Sequence, residues 1–221
     1  MIILVIGQSY WFRLVQKILK HYFKKNSYII TNNVNINLKK ILKKKKILYL
    51  FNFFSSEIIK EEHLKKIRYP INFHGGSLKY PGRGGYCHAI FKAEKIYGCV
   101  AHIMSNKVDT GKIIKELNFK ISDYETVESL KFKTYLNSLA LFYEIIIKII
   151  NNKPLIFEKK KWKRKPYKLI DLKKINIIKK HYTKQKIKKI KQSTIYYPYG
   201  PFIIKNNKIK QMKIKFSKNL I

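Results

Sequence analysis

Cysteine, arginine, glycine and acidic residues are all scarce in this 221-residue chain, and each scarcity excludes something. Cys87 and Cys99 are the only cysteines. They form no metal-ligand spacing and no disulfide framework, and two lone thiols fit a reducing cytoplasm. Nine glycines and six prolines exclude repetitive fibrous classes. The longest apolar run, residues 139–150, is interrupted by Glu144 and Lys148 and is too short to span a bilayer, so no membrane segment is expected. Residues 1–7 have neither a basic leader nor a cleavage pattern, so no signal peptide is expected. No internal repeat is present.

Only 12 Asp and Glu face 49 Lys and Arg, a formal net charge of +37, yet only Arg13, Arg68, Arg83 and Arg164 are arginines. Such a charge would suit a polyanion such as RNA. Phosphate recognition, however, favours the bidentate guanidinium, and this chain has almost none. Lys, Ile and Asn, all abundant here, are what AT-rich codons encode. We therefore read the charge mainly as compositional bias that would still steer anionic substrates. The Lys runs at 159–165 and 184–191 read as solvated faces.

With 46% apolar residues, 16 Tyr and 13 Phe, the chain can bury one sizeable core plus an appendage. Residues 2–6 form a continuous apolar run of the buried parallel-strand type. Gly7-Gln8-Ser9 reads as a tight turn with Ser9 as cap, and Trp11, Leu14, Val15, Ile18, Leu19 and Tyr22 follow at helical spacing. This is the first βα unit of a Rossmann-like sheet. Further strands are expected at 28–31, 47–54, 68–73, 97–104 and, antiparallel, 112–121. Helices are expected at 34–46, from Ser55 or Ser56 through 66, from His88, and after a Ser122-Asp123-Tyr124-Glu125 capping box. Val127, Leu130, Leu136, Leu139, Phe142, Tyr143, Ile146 and Ile150 form the expected buried stripe of that last helix, which closes at Asn151-Asn152-Lys153-Pro154. Beyond 155 come a Lys-rich helix near Asp171-Leu172, a helix from Thr183 and a strand at 202–204.

Most of the glycines lie in residues 69–116. Period two places Asn72 and His74 on one side of a strand that opens into Gly75-Gly76. A second strand leads to Asp109-Thr110-Gly111. Amide, imidazole and carboxylate together suit acyl transfer: the amide and imidazole can donate to an oxyanion, the imidazole can instead move a proton, and the carboxylate can orient the imidazole or accept a proton from an attacking amine. The same residue types also serve as turn and capping groups at strand ends. His102 reads as a satisfied strand histidine.

Residues 47–116 resemble the formyltransferases that use 10-formyltetrahydrofolate. The resemblance rests on Asn72-Phe73-His74, Tyr80-Pro81-Gly82-Arg83-Gly84, Ala89-Ile90, Tyr97-Gly98-Cys99-Val100-Ala101-His102 and Asp109-Thr110-Gly111-Lys112-Ile113-Ile114, in that order. Gly75-Gly76-Ser77-Leu78-Lys79 departs from the family's Pro-Ser-Leu-Leu-Pro beside the acceptor. The resemblance implies an α/β fold with a mostly parallel Rossmann-like sheet. It implies a catalytic domain at 1–150 and a small Lys-rich extension at 151–221. The extension resembles that of small formyltransferases through Trp162, Arg164, Lys165-Pro166-Tyr167, Asp171-Leu172 and Tyr197-Pro198, the Lys-Pro-Tyr and Tyr-Pro patterns being similar to those of the small sugar enzymes.

It further implies a cytoplasmic transferase moving a formyl group from 10-formyltetrahydrofolate to a primary amine. Asn72 and His74 would hold the formyl oxygen, Asp109 would position His74, assist proton removal from the amine and lie near the pterin, and Phe54 and Ile58 would contact the folate. No metal is implied. A nucleotide-linked amino sugar is the favoured acceptor. Methionyl-tRNA, a formyltetrahydrofolate hydrolase and an inert basic RNA-binding module are the alternatives. The sequence leaves the oligomeric state open.

Overall fold

The computed structural model describes residues 3–6, 10–196, 200–205 and 208–212. The expected turn at Gly7-Gln8-Ser9 and the aromatic stretch at Tyr197, Pro198 and Tyr199 lie outside them.

Strands β1 (Ile3–Ile6), β2 (Ser27–Ile30), β3 (Tyr49–Phe53), β4 (Tyr69–His74), β5 (Ile96–Ile103) and β6 (Ile113–Lys120) form one sheet in the order β2-β1-β3-β4-β5-β6. The first four are parallel, β5 runs antiparallel beside β4, and β6 antiparallel beside β5. Helices α1 (Tyr10–Phe23), α2 (Val34–Lys44), the single turn α3 (Glu61–Leu64), α4 (Gly85–Phe91) and α5 (Val127–Ile150) surround it. The expected mostly parallel α/β sheet is therefore present. Residues 55–60, expected as helix, are not helical, and α4 ends where the spacing suggested that it was only beginning. Among the described residues no helix is long and apolar enough to cross a membrane.

Alternation along the strands decides which face each residue serves. Phe51 and Phe53 of β3, Ile71 and Phe73 of β4, and Cys99 and Ala101 of β5 join Phe12, Val15 and Leu19 of α1 and Phe142, Ile145 and Ile146 of α5 in the main core. On the opposite face, Leu50 meets Val34 and Leu38 of α2. The residues between, Asn52, Asn72, His74, Val100 and His102, also turn away from α1 and α5.

Helix α5 buries most of the expected stripe: Val127, Leu130, Phe142 and Ile146 are buried, and Leu139 and Ile150 pack partly buried against the main core, while Leu136 and Tyr143 are about half exposed. Its buried face also takes in Leu141, Ile145, Ile149 and the small Thr134 and Ser138, which lie fully buried in the packing surface. Its cap is Thr126, whose hydroxyl accepts from Ser129 N at 3.1 Å. Ser122 and Glu125 do meet, at 3.3 Å, but in the turn before the helix.

After residue 155 the chain crosses back over the sheet as an irregular strap. It continues into α6 (Leu169–Ile175), β7 (Ile177–Ile178), α7 (Lys184–Thr194), β8 (Phe202–Lys205) and β9 (Lys208–Gln211), the three strands forming a small second sheet. Thr183 caps α7, as expected.

Candidate active site

β4 delivers Asn72 and His74 to the carboxyl ends of the parallel strands, on the face away from α5. β5 lies in register with it, Asn72 opposite His102. The antiparallel turn of the chain therefore brings a second imidazole beside the amide. After β5, residues 104–112 fold tightly back. Ser105 and Thr110 hydroxyls are 2.9 Å apart, and Thr110 donates to Lys107 O at 3.0 Å. Asp109 sits at φ 46°, a left-handed conformation that Asp tolerates better than most residues. Gly111 is required: a Cβ there would lie 1.8 Å from Ile103 O.

Asp109 is the hub. Its Oδ2 lies 3.1 Å from His74 Nδ1 and accepts from Gly82 N at 2.8 Å. Its Oδ1 lies 3.2 Å from His102 Nε2 and 3.4 Å from Asn72 Nδ2. Asn72 Nδ2 also lies 3.0 Å from His102 Nε2. The second nitrogen of each ring faces a carbonyl: His74 Nε2 is 2.9 Å from Tyr80 O, and His102 Nδ1 is 2.9 Å from Ile103 O. Burial alone would push the Asp109 carboxyl up. His74, His102 and the Gly82 N–H outweigh it and hold the carboxyl at about 2. Asp109 is thus a buried carboxylate at neutral pH.

The three residues singled out in the sequence, Asn72, His74 and Asp109, therefore come together. Phe54 and Ile58 do not accompany them as a pair. Phe54, at φ 57°, sets its ring 4.3 Å from that of Tyr135 at a tilt of 58° and lies against Gly75. Ile58 is 67% exposed on the α2 side, where its carbonyl accepts from Asn35.

Sequence reasoning misses His102 as a member of the site, along with the Tyr80 carbonyl, the Gly82 N–H and Trp162. His102 is satisfied, as expected, but its partners include the site itself. Its face is legible from alternation; its register against β4 is not. Trp162 comes from the strap and packs edge-on against both imidazoles.

The family model described as formyl transferase matches residues 3–146. The bifunctional polymyxin resistance protein ArnA of Wigglesworthia glossinidia brevipalpis is 32% identical over 142 residues, which is 62% of this chain and 21% of that protein. The chain thus spans about a fifth of the length of that relative. The crystal structure of a 4-N formyltransferase from Francisella tularensis superposes with a TM-score of 0.75, covering 98% of each chain at 16% identity. An N-formyltransferase from Helicobacter canadensis, in complex with folinic acid and dTDP-3-aminofucose, superposes with a TM-score of 0.70 at 24% identity, covering 87% of this chain and 80% of that one.

Proposed function

The chain belongs to the formyl transferase family, and from that membership we propose that it transfers a formyl group from 10-formyltetrahydrofolate to the primary amine of a nucleotide-linked amino sugar, in the cytoplasm. The observation that carries this reading is the convergence of Asn72, His74 and His102 on the buried Asp109 carboxylate.

In the reaction, the amine nitrogen bonds to the formyl carbon, whose oxygen becomes an oxyanion. The bond from that carbon to N10 then breaks, its electron pair stays on N10, and N10 takes up a proton while the amine gives one up. The donor chemistry of the cluster fits a formyl oxygen. Asn72 supplies amide N–H groups, and His74 supplies a ring nitrogen at Nε2, the one that faces Tyr80 O in this structure. Donation to substrate requires that Nε2 exchange the Tyr80 carbonyl for the formyl oxygen. A carboxyl held at about 2 is a weak base. Asp109 therefore orients His74, and the imidazole is the group that moves the proton.

Phe54, against Gly75 one residue past His74, and the exposed apolar Ile58 are the proposed folate contacts, with the Asp109 turn on the pterin side. Residues 1–150 would form the catalytic unit and 151–221 the extension. The ligands of the Helicobacter structure, folinic acid and dTDP-3-aminofucose, support this pair of substrates. The test is formylation of a nucleotide-linked amino sugar by the purified protein, followed by continuous assay. Asn72→Ala or His74→Ala should lower kcat by about two orders of magnitude, as loss of an oxyanion donor does. Formylation of methionyl-tRNA instead, with the steep loss at moderate salt that several phosphate contacts impose, would replace the acceptor and keep the chemistry. Formate release without any amine would replace the transferase by a hydrolase.

A further inference from the structure

The cluster around Asp109 has one wall that comes from outside the segment carrying its polar groups. Trp162 is partly buried. Its Nε1 donates to Gly111 O at 3.0 Å, two residues past Asp109. The indole lies edge-on to the His74 ring at 5.7 Å and 71°, and to the His102 ring at 5.1 Å and 89°. It also packs on Leu78, Val100 and Ile113. One indole therefore touches both imidazoles whose nitrogens reach the two oxygens of Asp109.

The strap bearing Trp162 is held mainly by main-chain bonds to segments of the site. Glu158 N donates to Ile113 O at 3.0 Å, Lys163 N to Leu78 O at 2.9 Å, Tyr167 N to Pro81 O at 2.8 Å, and Arg83 N to Tyr167 O at 3.0 Å. Gly82, at φ 85°, makes the closest approach: a Cβ there would lie 2.3 Å from Tyr167 O. Its N–H is the same group that donates to Asp109. Strap, loop and carboxylate are thus joined through one peptide unit, and the indole stands edge-on against both imidazoles, on space that either ring would need in order to turn about χ2 away from its hydrogen-bond partners.

We propose that Trp162 is a positioning residue: its indole holds the His74 and His102 rings with their inward nitrogens on Asp109 and keeps water from taking their place. The proposal rests on the formyl-transfer reading for its kinetic consequence. A ring displaced by about an ångström loses an order of magnitude or more in rate without altering how tightly the remote parts of a substrate bind.

The experiment compares Trp162→Phe, Trp162→Leu and Trp162→Ala in the full chain. It uses steady-state formyl transfer and two-bond 1H–15N spectra of the histidine rings. Trp162→Phe, which keeps a flat ring, should retain kcat within about 3-fold. Trp162→Leu, which fills much of the volume without a plane, and Trp162→Ala should lose about 10-fold or more in kcat, with KM for both substrates within about 3-fold. Their His74 and His102 ring signals should shift toward solvent-averaged tautomers. An unchanged kcat in Trp162→Leu, or a loss confined to KM with ring signals unaltered, would overturn the proposal and leave Trp162 a clip or a substrate contact. If Trp162→Ala does not fold, the Phe and Leu variants decide. If the wild-type protein formylates no amino sugar, the functional reading falls by itself. The ring spectra then decide: unaltered signals in Trp162→Leu overturn the positioning role, and averaged ones sustain it.

Discussion

Residues 10–150 and the strap at 155–168 meet at the same buried carboxylate, but different forces hold them. The first region is a core. Phe142 is fully buried, with its ring centroid 5.3–5.8 Å from those of Phe51, Phe53 and Phe73. The strap buries little of its own. Ile156 is 77% exposed, most of its lysines face solvent, and its attachment is a series of backbone hydrogen bonds plus two aromatic anchors, Trp162 and Tyr167. A site built this way takes its rigidity from the sheet and its enclosure from a segment that can be altered with little cost to stability.

The largest expected effect tests the first half of that contrast. Phe142→Ala should cost about 3–5 kcal/mol, read by urea unfolding, because it opens a cavity among three rings that cannot collapse around it. Ile156→Ala should change stability by less than about 0.5 kcal/mol. Comparable losses from the two would remove the distinction between core and strap.

A smaller effect belongs to Asp109. Its carboxyl is held at about 2 in the folded protein against 3.8 for the ordinary group. A depressed acid stabilises above its unfolded value and loses that contribution as pH falls through the folded one. About 2 kcal/mol should therefore disappear between roughly pH 4 and pH 2. Asp109→Asn should lack this portion of the acid sensitivity and should already be less stable at neutral pH. An unchanged slope in the variant would mean that the carboxylate is not held as described.

The smallest effect sharpens the second half. His88 of α4 is buried, stacks on Tyr167 of the strap at 3.8 Å, and is lowered to about 4 by burial, with Lys92 and Arg164 adding to it. The unfolded chain takes up this proton near 6.5 and the folded one only near 4. Stability is thus fully present above about pH 6.5 and declines as pH falls toward 4. With the charges of Lys92 and Arg164 screened by solvent, the expected decline is on the order of 1 kcal/mol. His88→Phe, which keeps the stack, should flatten stability across that window. If it does not, the strap's anchor is not the group that titrates.

Much of the site is legible in the order of the residues. Asn72 and His74 stand two apart on a strand, and a Gly pair follows them. Asp109 precedes, by two positions, a glycine that no other residue could replace. These are local facts, and strand alternation turns them directly into a shared face. His102 is legible only as a histidine on a known face, because which residue of β4 it stands beside depends on the antiparallel register. Trp162 is legible only as an aromatic of the C-terminal extension, since it stands 53 positions after Asp109 and nothing in its own segment points to the cluster.

The sequence by itself determined the alternating and helical periodicities, hence an α/β sheet with a polar pair at one strand end, and it carried enough of the motif for the family to be expected. Tertiary structure alone decided that the buried face of α5 takes in the small Thr134 and Ser138, because close packing and not hydrophobicity places small polar residues there. It alone decided that two imidazoles share one carboxylate, because register is a property of two strands. And it decided that the strap closes the site, because main-chain hydrogen bonds can join any two segments and leave no mark in the side chains of the residues they join.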